Sequence, residues 1–230
     1  SVDVTAHILE MLGKLGYQRD FPPLVQARRY ILDRQEEDGS WFGRWGVNHI
    51  YGVGAVLPAL AAINEDMTQP YVTQAVEWLV AHQNDDGGWG ESCGSYVDPE
   101  LRGVGPSTPS QTSWALIALL AAGREASDPV LRGVTYLLVT QDEGGCWDEP
   151  YFTGTGFPGY GAGEPPKTMP KPGEPGYQGL DMPGGFMINY HMYRNYWPLM
   201  ALGRYKTQTN HRHWDADGTT GITEPTGTAA

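Results

Sequence analysis

Apolar residues along this chain follow two helical patterns. In "VTQAVEWLVAHQ", Val72, Ala75, Val76, Leu79 and Val80 fall at i, i+3, i+4, i+7 and i+8. That is one apolar stripe on an otherwise polar helix, the pattern of a surface helix. "LVQARRYILDRQ" and "VLRGVTYLLVTQ" behave the same way. Between them, "YGVGAVLPALAAI" (51–63) and "SWALIALLAAG" (113–123) are apolar nearly all round, which predicts helices buried on every side. Inner and outer helices therefore alternate, and no strand-like alternation stands out.

Each outer helix ends at a glutamine that opens one short motif: "QEEDGSW" (35–41), "QNDDGGW" (83–89) and "QDEGGCW" (141–147). An aromatic residue, Tyr30, Trp78 or Tyr136, stands five positions before each glutamine. The glutamines recur after 48 residues (35 to 83) and then 58 (83 to 141), the period of a helix-pair repeat with variable loops. The expected fold is all-α: an α/α toroid of inner helices ringed by outer ones, here a partial barrel, with a linear solenoid as the alternative. A glycine just past a helix end suits a left-handed turn. The glutamine amide can tie off unpaired backbone groups there, and the tryptophan can cover the apolar end of the helix pair. Gln35, Trp41, Gln83, Trp89, Gln141 and Trp147 are thus expected as staples between neighbouring helices.

Two stretches break the pattern. Residues 160–185 are rich in Pro and Gly, so a long loop is expected. Residues 207–230 read as a polar, disordered tail whose histidines are not metal ligands. The chain opens on Ser1 inside a helical pattern, and the expectation is a fragment of a longer protein.

Composition narrows the chemistry. The net charge of -12 opposes binding to a phosphate backbone, so no nucleic-acid partner is expected. Cys93 and Cys146 stand alone. A disulfide framework and a paired-cysteine zinc site are both unexpected, and a reducing compartment is the default. No apolar run reaches the roughly 20 residues of a membrane span.

The aromatic residue followed by the repeated Gln-x-x-x-Gly-x-Trp resembles the QW repeat of the squalene–hopene and oxidosqualene cyclases. "DVTAH" (3–7), "DGSWFGRWGVN" (38–48), "DGGWGESC" (86–93), "STPSQT" (107–112), "GTGFP" (154–158) and "ALGRY" (201–205) resemble the C-terminal part of bacterial squalene–hopene cyclases. The likeness covers residues 1–206 apart from the 160–185 loop. It implies a class II triterpene cyclase. Such enzymes protonate a terminal double bond of squalene with an aspartic acid and steer a carbocation cascade to a pentacyclic product, with no metal or organic cofactor. The implied partners are squalene, the rest of a cyclase chain preceding Ser1, one leaflet of the bacterial cytoplasmic membrane and, as a homodimer, a second copy.

Asp3 and His7 are four apart on a helix and share a face. The resemblance makes His7 the partner of the catalytic aspartate, with Asp3 holding its imidazole and Tyr51 near the same network. A cationic partner would stabilise the carboxylate left after proton transfer. The Asp-x-Asp-Asp acid motif itself does not occur in the sequence, and the acid is expected before Ser1. Phe186, Tyr190, Tyr193 and Trp197 fall at i, i+4, i+7 and i+11, within an arc of about 60° if helical. Pro198 would end or kink that helix after its last aromatic. The resemblance assigns cation stabilisation to Trp45, Phe157, Phe186, Tyr190 and Tyr193, since aromatic faces attract cations without trapping them. Glu91, Cys93 and Ser110 receive no role. The competing readings are an oxidosqualene cyclase, a zinc-dependent protein prenyltransferase subunit, and a non-catalytic lipid-binding toroid fragment.

Overall fold

A computed structural model of the chain describes residues 1–96, 98–156 and 186–216. Seven helices carry it: α1 (Val2–Lys14), α2 (Pro22–Leu32), α3 (His49–Ala62), α4 (Pro70–Ala81), α5 (Pro109–Ala121), α6 (Asp128–Thr140) and α7 (Tyr193–Ala216). Proline opens α2, α4, α5 and α6, where its missing N–H costs nothing and its fixed φ suits the first turn. The inner helices α1, α3, α5 and α7 pack side by side in chain order, and α2, α4 and α6 lie outside them. From His49 to Leu60 every residue of α3 is buried, and from Pro109 to Leu120 every residue of α5. This is the arc of an α/α toroid, as the all-round apolar pattern requires.

The staples form as expected. The indole N–H of Trp41 donates to Ile31 O (2.9 Å), that of Trp89 to Leu79 O (2.7 Å) and that of Trp147 to Leu137 O (2.8 Å). Each reaches back ten residues to the last turn of its outer helix and adds a donor to a carbonyl there. All three rings are fully buried. The glutamines close the turn by donating to Gly39 O, Gly87 O and Gly145 O (2.8, 2.8 and 2.9 Å). Those glycines have φ of 92°, 87° and 79°, where a side chain would be strained. Gln35 and Gln83 also reach forward, to Tyr71 O in α4 (2.8 Å) and Pro129 O in α6 (2.9 Å). One amide thus fastens each repeat to the next. Gln141 follows α6, the last outer helix among the described residues.

Three expectations need correction. Phe186 does not continue a helix. Phe186–Ile188 is a short strand, β2, paired antiparallel with β1 (Gly154–Gly156). The helix starts only at Tyr193, so Pro198 lies near its beginning and α7 runs on past it. Nor does the chain become irregular at residue 207, because α7 continues to Ala216. Its threonines are satisfied within the helix: the hydroxyls of Thr207 and Thr209 donate to Gly203 O (3.0 Å) and Tyr205 O (2.9 Å), the i−4 bond open to a helical threonine. The 160–185 loop, Phe157 and residues 217–230 lie outside the described residues.

Candidate active site

The N-terminal ends of the inner helices gather the candidate residues. His7 Nε2 of α1 lies 3.0 Å from the Tyr51 hydroxyl of α3. Asp3 does not hold the imidazole. Its Oδ2 instead accepts from the backbone N–H groups of Arg44 (3.1 Å) and Trp45 (2.8 Å). Its Oδ1 is buried with no hydrogen-bond partner among the described residues. One turn of helix brings Asp3 and His7 to one face, but two preorganised amides outcompete a half-buried ring for the carboxylate. The anchored loop presents Trp45, half-buried. Tyr96 secures the same loop, its hydroxyl donating to Gly46 O at 2.6 Å.

Aromatic rings cluster beside the His7–Tyr51 pair. Tyr190 and Tyr193 stack with centroids 4.7 Å apart, and Tyr193 meets Trp197 edge-on at 6.0 Å. Gly154 in β1 packs under Trp45 and Tyr190: a Cβ there would come within 2.5 Å of Trp45 O and 3.3 Å of Tyr190 Cε2. The structure therefore brings Asp3, His7, Trp45, Tyr51, Tyr190 and Tyr193 to one end of the arc. It leaves the stapling residues at the helix-pair junctions.

Sequence reasoning missed the carboxylates that fix this end. Glu91 is fully buried and caps α3. Its Oε2 accepts from Asn48 N (3.2 Å) and Ile50 N (2.9 Å), and its Oε1 lies 3.0 Å from His49 Nδ1. Glu149 does the same for α5, accepting from Ser110 N (3.2 Å) and Ser110 Oγ (2.6 Å). A negative group at a helix N-terminus meets both free N–H groups and the positive end of the dipole. Burial pushes the Glu91 pKa up, but His49 and the Ile50 N–H outweigh it and the net shift is down. For Glu149 burial prevails over Ser110, and the shift is up. Both glutamates stand two residues after a repeat tryptophan, a signal present in "WGE" and "WDE". In the first repeat that position is Gly43. There the bond direction is reversed, with the helix carboxylate of Asp3 taking N–H groups from the loop.

Burial also pushes the His7 pKa below 6.5, with Asp3 and Glu10 acting in opposition. A depressed histidine favours the folded state fully above its unfolded pKa, about 6.5. That contribution is lost as pH falls. Burial thus favours the neutral imidazole in this chain. An NMR titration of the chain, with His7→Gln for assignment, should find His7 below 6.5. A value at or above 6.5 would mean that the two carboxylates outweigh burial. Burial, with Asp3 next, pushes the Tyr51 phenol well above its ordinary range. Among the described residues no group of three or more His, Cys, Asp or Glu side chains could hold a metal ion.

The chain resembles known proteins over most of its length. The chain is 48% identical over 212 residues to the squalene–hopene cyclase of Alicyclobacillus acidocaldarius, covering 92% of this chain and 30% of that protein. It is 41% identical over 210 residues to the squalene–hopene cyclase of Zymomonas mobilis, covering 90% of this chain and 28% of that one. It is 38% identical over 231 residues to the dammaradiene synthase of Dryopteris crassirhizoma, covering 90% of this chain and 30% of the synthase. The chain thus spans somewhat under a third of the length of these relatives. A crystal structure of a protein from Actinoplanes shares the fold, with a TM-score of 0.59 and 16% identity over 89% of this chain and 55% of that one. Residues 1–161 and 168–207 match the family described as the squalene-hopene cyclase C-terminal domain, and the chain belongs to that family.

Proposed function

We propose that this chain works within a longer triterpene cyclase of the squalene–hopene type, supplying part of the toroid that holds squalene. The observation that carries the reading is the His7–Tyr51 pair, 3.0 Å apart, set against the Tyr190–Tyr193 stack. An alkene is a very weak base, so its protonation needs a strong acid whose conjugate base is stabilised. In this reading the acid is an aspartate from another segment. Its carboxylate, arriving beside His7, raises the imidazole pKa and makes the ring cationic. Tyr51 holds the ring through Nε2. Trp45, Tyr190 and Tyr193 face the growing carbocation, and Phe157 and Phe186 join them through the family likeness. Hopene and hopanol are the products. The site is reached from one membrane leaflet, and no helix among the described residues is long and apolar enough to cross a membrane.

His7→Ala in the full-length protein tests this reading. The loss is acid strength rather than cavity shape, so kcat for squalene should fall by about 10²–10⁴-fold, the range of general-acid assistance. KM should change little. An unchanged kcat would remove His7 from the acid network.

A further inference from the structure

Trp114 in α5 lies between the two parts of the site. Its indole is 1% exposed. The Tyr51 ring leans on it at 4.8 Å and 58°. Tyr193 meets it edge-on at 5.8 Å and Trp197 at 5.9 Å. Its own backbone is held tightly: a Cβ at Gly54 of α3 would come within 2.8 Å of Trp114 Cβ. One rigid side chain on one fixed helix crossing therefore contacts the ring that holds His7 and the ring that stacks on Tyr190.

The Trp114 indole N–H is buried with no hydrogen-bond partner among the described residues. An orphaned donor is costly, and phenylalanine would avoid the cost while keeping one ring. The useful part of the residue is then the extent of its indole, which meets both Tyr51 and Tyr193. The buried tryptophans of the staples differ here, since each donates its N–H to a helix carbonyl.

We propose that Trp114 is a positioning residue that fixes the spacing between the His7–Tyr51 pair and the Tyr190–Tyr193 pair, and so the point at which cyclisation of a polyene stops. The inference rests on the cyclase reading. A cascade begins where the proton enters and ends where a cation is no longer held in line with the next double bond. Geometry errors of about an ångström suffice to cost large factors in such steps. Loss of the spacer would let Tyr193 shift relative to Tyr51 without removing either ring.

Trp114→Phe in the full-length protein, incubated with squalene and analysed by gas chromatography and mass spectrometry, tests the proposal. The incompletely cyclised fraction should rise at least fivefold at little-changed KM. Trp89→Phe, equally buried but with its indole bonded to the outer helix α4, should lower the melting temperature and leave the product distribution as in the parent. A merely structural role would make the two variants alike. If Trp114→Phe does not fold by circular dichroism, Trp114→Tyr is the second variant, with the same expectation. Parent-like products from the folded variant would overturn the inference alone. A parent that cyclises nothing would overturn the cyclase reading and the inference with it.

Discussion

Incubated alone with squalene, the 230-residue chain should form no hopene. None of its 27 acidic residues stands in an Asp-x-Asp-Asp motif, and the carboxylates at the site are committed elsewhere. Asp3 accepts from two backbone amides. Glu91 caps α3 and Glu149 caps α5. The phenols of Tyr51 and Tyr193 are pushed up by burial, which makes them still weaker acids than ordinary tyrosine. The apolar faces of the two end helices are also uncovered although Arg204 of α7 reaches Glu10 of α1: Val4, Ile8 and Met11 on α1 and Leu199 and Met200 on α7 are exposed. Water would reach and quench a cation formed there. The measurement is gas chromatography of a detergent incubation against a heat-killed control. A hopene peak above the control would place the acid inside this chain and require new roles for the residues above.

Trp89→Ala should destabilise the fold by about 3–5 kcal/mol, the cost of deleting a large, well-packed ring. The ring is fully buried and bonded to Leu79 O, and a Cβ at Gly133 would meet it at 2.7 Å. Neighbours that close cannot collapse far into the space it leaves, and Leu79 O keeps only the N–H of His82 (3.2 Å) as a donor outside the regular helix pattern. For a chain of this size the melting temperature should fall by about 6–20 °C, read by circular dichroism. An unchanged melting temperature would sink the stapling role.

The alternation of inner and outer helices was readable because burial on all sides or on one side leaves different apolar periods. The staples were readable because Gln, Gly and Trp keep fixed offsets in three copies. The local structure of Phe186 was not. Its spacing from Tyr190, Tyr193 and Trp197 fits a helix, but whether that segment pairs with Gly154–Gly156 depends on residues 30 positions away. The hydrogen bonds of Asp3 were hidden for the same reason: its partners are backbone amides of Arg44 and Trp45, and an amide leaves no mark in a sequence. Glu91 and Glu149 were visible as "WGE" and "WDE" but carried no meaning until the helix ends they cap were placed. The helix over 207–216 was lost because polar composition says nothing of hydroxyls bonded within the helix.

Gly43 stands where the other two repeats carry a capping glutamate. If the three units arose from one ancestral unit by duplication, the first is the one that abandoned the shared plan, and it is also the one beside His7, Trp45 and Tyr51. Two units kept the inherited brace and now serve as scaffold. The first exchanged it for a carboxylate on helix α1, which left the loop free to diverge. In proteins assembled from copied units, departure from internal symmetry is then a guide to where chemistry was acquired, legible within a single chain.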